Sequence, residues 1–223
     1  MTEPAMPPLK AVIIPVTPLQ QNCTLLWCTK TMKGAFVDAG GDLAKLRKVA
    51  ADQGVTIEKL LVTHGHIDHC GGTGILAEEL GVPIEGPQEE DRFWIAMLGE
   101  HGRDYGIEGR PFEPDRWLRD GDRVTVGELV LEVIHCPGHT PGHVVFYHAP
   151  SQLAIVGDVL FQGSIGRTDF PRGDHDALIR AITGKLWPLG GDTRFVPGHG
   201  PMSTFARERA TNMFVADQVL AGG

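Results

Sequence analysis

Between Thr63 and His69 the chain reads Thr-His-Gly-His-Ile-Asp-His, which puts four ligand-capable side chains, His64, His66, Asp68 and His69, within six residues. Imidazole nitrogens and carboxylate oxygens are the ligands of zinc, iron and manganese, and a loop this dense must turn sharply to bring them to one point. Gly65 and the Gly71-Gly72 pair permit that turn. Three more candidates stand apart: His139 in Cys-Pro-Gly-His-Thr-Pro-Gly-His, Asp158 in Ile-Val-Gly-Asp and His199 in Val-Pro-Gly-His-Gly. Each follows a glycine at the end of a strand-like run. A lone histidine at a strand end is ordinarily a hydrogen-bonded surface residue, and the dense loop is what reverses that expectation here.

The neighbours of these residues divide more evenly. Cys70 directly follows His69 but reads as a small packing residue, as does Cys136. His143, four residues after His139, is equally a residue that orients a ligand or one that makes a structural hydrogen bond. His101, His135, His148 and His175 have no ligand spacing and read as surface or structural residues. Arg167 and Asp169 lie just beyond Asp158, where they either orient metal ligands or form a loop-fixing ion pair. The aromatic residues between 93 and 117 read as cover for apolar surface.

The elements that must present these groups follow from periodicity. Ala11-Val-Ile-Ile, Cys23 to Cys28 and Ala35 to Asp38 are short strand-type runs forming an opening antiparallel meander. Asp42 caps a helix with Leu43, Leu46, Val49 and Ala50 on one face, stopped by Gly54. Leu60 to Thr63 is a buried strand, followed after the histidine loop by a helix over 72–80. A helical excursion is expected over 86–118, then strands at 129–134, 143–147 and 153–156, a helix near 174–183, a strand at Arg194-Phe-Val and a final helix over about 203–219. Strands then a helix, twice over, fit two packed sheets with helices outside better than a doubly wound parallel sheet. With no repeat and no low-complexity linker, one domain over 1–223 is expected.

Composition narrows the partners. The 20 Lys and Arg against 28 Asp and Glu give a net charge of −8, with no basic cluster, which argues against a nucleic-acid partner. No apolar run approaches the roughly 20 residues of a bilayer crossing, and the first residues lack a secretory pattern, so a cytoplasmic protein without a membrane partner is expected. Four cysteines without CxxC spacing read as reduced thiols. Ten histidines and 29 glycines are the compositional excess, consistent with metal held on tight loops. Oligomeric state is not legible.

The Thr-His-Gly-His-Ile-Asp-His loop with its distant His, Asp and His resembles the signature of the metallo-β-lactamase fold superfamily, over essentially the whole chain. Gly157-Asp158-Val-Leu-Phe followed by Gly166-Arg167-Thr-Asp169-Phe-Pro-Arg-Gly-Asp174 is similar to its glyoxalase II branch, the hydroxyacylglutathione hydrolases. The resemblance implies an α+β fold, an αββα sandwich of two mixed β-sheets with helices on the outer faces and the site at one edge. It also implies two divalent metal ions, zinc or else Fe(II) or Mn(II): one on His64, His66 and His139, the other on Asp68, His69 and His199, with Asp158 bridging. The implied reaction is hydrolysis of the thioester of S-D-lactoylglutathione or a related S-acyl thiol by a metal-bound hydroxide. Asp68 and Asp158 position the ions and accept hydrogen bonds from the hydroxide, and the thiolate leaves without a strong acid.

Only 24 residues follow His199, fewer than the C-terminal helical region through which longer glyoxalase II enzymes contact glutathione. Few direct glutathione contacts are therefore expected, with Arg167 or Arg172 supplying attraction for its carboxylates. The Gly-Arg-Thr-Asp-Phe segment also resembles the persulfide dioxygenases, which would need one iron on His64, His139 and Asp158 to act on glutathione persulfide.

Overall fold

Alternation of side chains along the strands sorts this chain into layers. The computed structural model describes residues 8–222. Strands β1 (Leu9–Val16), β2 (Gln21–Cys28) and β3 (Lys33–Val37) form the expected antiparallel meander. Helix α1 (Leu43–Asp52) carries the chain back so that β4 (Thr56–Leu61) pairs parallel to β3. After α2 (Ile67–Cys70) and α3 (Thr73–Leu80), β5 (Ile84–Glu85) joins β4, also in parallel. Helices α4 (Arg92–Ala96) and α5 (Leu98–Tyr105) precede the second sheet, in which β6 (Arg123–Val126), β7 (Leu129–His135), β8 (Val144–His148) and β9 (Leu153–Gly157) are antiparallel neighbours. A hairpin, β10 (Leu160–Phe161) and β11 (Ser164–Ile165), then leads through α6 (His175–Ala181) to β12 (Arg194–Pro197), which pairs parallel to β9. The edge strand β13 (Ser203–Thr204) pairs antiparallel to β12, and α7 (Phe205–Thr211) and α8 (Asp217–Leu220) follow.

Both sheets are therefore mixed, of five and six strands. On β2, Cys23, Leu25 and Trp27 face one apolar layer with Leu46 of α1 and Leu76 of α3, while Leu26 and Cys28 face another. That second layer lies between the sheets and receives Val144 and Phe146 of β8, whose Val145 and Tyr147 point to a third layer with Leu178 of α6 and Phe205 of α7. The period-two pattern thus yields helix, sheet, sheet, helix, the expected αββα sandwich.

Several local expectations need correction. The predicted final helix over 203–219 is two helices, because Asn212 adopts an extended backbone with φ −69° and ψ 131°. Its side-chain amide donates to Glu208 Oε2 at 2.9 Å and to the Ser164 carbonyl at 3.1 Å, tertiary partners that outweigh helix continuation. The 86–118 excursion is helical only up to Tyr105. Asp42 caps nothing with its side chain: its carboxylate accepts from the Thr17 N–H at 2.9 Å. Among the described residues no helix is long and apolar enough to cross a membrane.

Candidate metal centre

Every residue of the histidine and aspartate set sits where a strand has just ended. His64 and His66 follow β4, Asp68 and His69 ride on the short α2, His139 follows β7, Asp158 follows β9 and His199 follows β12. Because β12 is parallel to β9, their two following loops emerge at the same edge of the sandwich. Close approach there demands glycine. Gly157 turns at φ +50° just before Asp158, and a Cβ on Gly198 would lie 2.0 Å from Asp158 Oδ1.

The side chains converge as two sets. His66 Nδ1 is 3.1 Å from His64 Nε2 and 3.0 Å from His139 Nε2. His199 Nε2 is 3.0 Å from Asp68 Oδ2, which is 3.7 Å from His69 Nε2. Asp158 lies between the sets, with Oδ2 3.5 Å from His139 Nε2 and Oδ1 3.3 Å from His69 Nε2. Each set has donor atoms within 4.8 Å of one another, a spacing suited to one ion apiece.

Hydrogen bonds behind the rings fix which nitrogen faces inward. His139 Nδ1 donates to the Arg167 carbonyl at 2.8 Å, and His199 Nδ1 to the Leu19 carbonyl at 3.2 Å. His69 Nδ1 donates to Asp38 Oδ2 at 2.8 Å. The Thr63 hydroxyl also donates to Asp38, at 2.6 Å, and lies 3.1 Å from His64 Nδ1, for which it is the acceptor. In each case the other nitrogen presents its lone pair to the centre. Asp38 and Thr63 thus tie the two sets together from behind.

The electrostatics match a cation. Burial, then the neighbouring imidazoles, push His64 well below its ordinary pKa, so it is the neutral ligand form. Burial alone would do the same to His69, but Asp158, Asp68 and the hydrogen bond it donates to Asp38 outweigh it and raise its pKa well above the usual value. Burial would likewise raise Asp158, but His69, His139 and His199 hold its carboxyl well below the carboxylate range. His69 Nε2 and Asp158 Oδ1 are buried without a hydrogen-bond partner, although both face the centre. Three carboxylates gathered about one imidazole, with buried polar atoms left without partners, are what a divalent cation would satisfy, so the donor set fits such ions.

The neighbouring residues resolve as follows. His143 Nε2 accepts from the Asp158 N–H at 3.0 Å and its ring stacks on His64, so it anchors the Asp158 backbone. Arg167 and Asp169 form an exposed bidentate ion pair at 2.6 Å, the loop-fixing alternative; it is the Arg167 carbonyl, not its side chain, that orients His139. Arg172 points away, donating to the Glu90 carbonyl at 3.2 Å, and does not line the cleft, contrary to its expected role. Cys70 is fully buried and its thiol donates to the His66 carbonyl at 3.3 Å; burial first, then Asp38, raises its pKa well above the ordinary value. That state is inert for nucleophilic chemistry.

Asp91 was not legible. It is fully buried and accepts from the Gly65 N–H at 2.9 Å, the Thr140 hydroxyl at 2.7 Å and the Gly142 N–H at 2.6 Å, joining the loops that carry His64, His66 and His139. Burial pushes its carboxyl up to about 6 against these three hydrogen bonds. In the sequence it ends a Glu-Glu-Asp run that reads as solvated surface.

The centre opens into a cleft of about 1000 Å³. Trp94, Phe170 and Phe161 lie along it, as do His101 and Tyr105. His101, read as a surface residue, therefore stands on the cleft wall, its ring 5.5 Å from that of Trp94.

The chain is similar to known proteins in sequence and fold. A family model for the Metallo-beta-lactamase superfamily matches residues 16–199. The hydroxyacylglutathione hydrolase GloC of Haemophilus influenzae is 42% identical over 205 residues, 91% of this chain and 96% of that protein. Among solved structures, the BLEG-1 B3 metallo-beta-lactamase is 33% identical with a TM-score of 0.84, covering 92% of this chain and 99% of that one. TTHA1623, solved in a di-iron-bound form, is also 33% identical, with a TM-score of 0.81 over 91% of this chain and 99% of that one.

Proposed function

This chain belongs to the metallo-β-lactamase superfamily of metallo-hydrolases, and from that premise we propose that it hydrolyses S-acyl thioesters, S-D-lactoylglutathione among them. The observation that supports the reading is the convergence of two three-donor sets on one carboxylate, Asp158, at the floor of a cleft large enough for a thioester. His64, His66 and His139 would hold one divalent ion and Asp68, His69 and His199 a second, with Asp158 shared. Two such ions supply Lewis acidity and bring the pKa of a water toward neutrality.

The chain's own groups do the rest. Asp68 and Asp158 line the cleft and offer acceptor oxygens that hold and orient the attacking water. Asp38, Thr63 and the carbonyls of Leu19 and Arg167 keep the imidazoles from rotating, so the constellation is preorganised. A thiolate is a weak base and departs without a general acid, consistent with the absence of a free cationic side chain lining the cleft among the described residues. Cys70 is sequestered, so no covalent intermediate on it is needed. The similarity to GloC supports the thioester as the bond cleaved and glutathione as one carrier of the acyl group.

The test is metal content of protein purified without added metal, measured together with turnover of S-D-lactoylglutathione. Two equivalents of metal and thioester cleavage are expected. One equivalent of iron with oxygen uptake on glutathione persulfide, and no thioester cleavage, would replace the reading with the dioxygenase alternative.

A further inference from the structure

The walls of the cleft carry information about the substrate's arms that the metal ligands do not. Trp94 meets His66 edge-on with ring centroids 4.5 Å apart and is only 4% exposed, so it backs the imidazole rather than offering a face to the cleft. Phe170 stands 4.8 Å from the same imidazole and 6.0 Å from Trp94. On the opposite side, Phe161 lies 6.3 Å from His199. The half-buried rings of Phe170 and Phe161 therefore flank the two donor sets, so a carbonyl placed at the centre extends its two arms along apolar walls.

Positive charge from Lys or Arg along the same walls is scarce and already spent. Among the lining residues Arg167 alone is a Lys or Arg. Its guanidinium is held bidentately by Asp169 at 2.6 Å and lies 4.3 Å over the Phe170 ring. Asp104 also lines the cleft and makes no ion pair among the described residues. An arm bearing carboxylates, such as that of glutathione, meets no free cation here, and the −8 net charge of the chain opposes it further. A flat uncharged arm meets stacking partners instead.

Resting on the thioesterase reading, we propose a further substrate class: thioesters of small neutral thiols whose acyl arm is aromatic, with that arm seated against the half-buried Phe170. The reaction is hydrolytic and balanced. Water adds to the carbonyl carbon to form the C–O bond, the C–S bond then breaks as the carbonyl re-forms, and the products are the carboxylate of the aromatic acyl arm, the free thiol and one proton released to solvent.

The experiment compares kcat/KM of the metal-loaded enzyme for three substrates: S-phenylacetyl-N-acetylcysteamine, S-acetyl-N-acetylcysteamine and S-D-lactoylglutathione. The phenylacetyl ester is expected to exceed the acetyl ester by about tenfold, as one well-stacked ring provides, and to at least equal lactoylglutathione. Phe170→Ala should collapse the phenylacetyl-to-acetyl ratio, with metal content measured on the same sample. Asp169→Asn gives an independent reading, since it frees Arg167: lactoylglutathione turnover should rise severalfold and the rise should vanish at high salt. Lactoylglutathione preferred more than tenfold over the phenylacetyl ester, or a ratio unmoved by Phe170→Ala, would overturn the proposal while leaving the thioesterase reading intact. No cleavage of any of the three esters by fully metallated protein would overturn both.

Discussion

Asp158 bears the heaviest demand of any single residue. Its two oxygens face different histidines at 3.3 and 3.5 Å, and its backbone N–H is fixed by His143. Truncation removes the one negative group common to both donor sets, leaving any two bound cations without shielding. Asp158→Ala is therefore expected to lower turnover more than about a hundredfold and to lose bound metal; a variant that keeps two equivalents and normal turnover would remove Asp158 from the centre. Cys70, next to His69 in the sequence but wholly buried, tests the opposite case. Cys70→Ala should keep at least about a tenth of the activity and cost about 1–3 kcal/mol of stability, as measured by denaturation of the metallated protein. The seven candidate ligands were legible because histidines and aspartates at strand ends, four of them in one loop, have little other reason to occur together. Asp38 carried the same mark as Asp158, a carboxylate closing an apolar strand, and a reading that weighed Val37-Asp38 like Gly157-Asp158 would have found it. Asp91 bore no mark, because its acidic neighbours Glu89 and Glu90 make it look solvated.

At the scale of elements, the centre depends on loops that come from two different sheets. The loop after β4 and the loop after β7 belong to different sheets, and Asp91, at the entry to α4, accepts from both. Asp91→Ala leaves two backbone N–H groups and a hydroxyl without their acceptor, at a cost of roughly 1–3 kcal/mol for each buried group that water does not reach. A fall in melting temperature is expected together with weaker metal binding, read by thermal denaturation and by competition with a chelator; an unchanged affinity would mean that the loops are held by other contacts. Periodicity found the long strands and α1, α3 and α6, whose apolar faces repeat several times. It failed where an element spans two residues, as in β5, β10, β11 and β13, and where a tertiary bond decides the outcome. Asn212 is the clear instance: helical patterning continues past it, but its amide is held by Glu208 and the β11 carbonyl. That same Glu208 accepts from the Gly163 N–H at 2.7 Å, so the C-terminal helix α7 braces the hairpin that carries Phe161 into the cleft.

For the whole molecule, the division between fold and site is visible in where the apolar residues lie. Three buried layers, one between the sheets and one beneath each set of helices, contain the large apolar side chains, and the centre sits at the edge where the strands end. The layering was legible, since strands with alternating faces followed by amphipathic helices have few other ways to bury both faces. The strand order was not, because the parallel insertion of β12 beside β9 depends on a long-range pairing that no local pattern encodes. Because the layers do not pass through the centre, removal of metal should not unfold the protein. It does leave Asp38, Asp68 and Asp158 gathered around His69, with buried acceptors unsatisfied. Ions that bind only the folded state stabilise it by about 2.7 kcal/mol each at a hundred times their dissociation constant. With about 2–4 °C per kcal/mol for a chain of this size, stripping two ions should lower the melting temperature by roughly 10–20 °C, with the far-ultraviolet circular dichroism at 25 °C preserved. Titrating zinc, iron or manganese back should restore the loss in proportion to occupancy. A melting temperature indifferent to chelation would mean that the centre binds no ion tightly, and complete unfolding of the stripped protein would mean that the three layers cannot hold the sandwich without it.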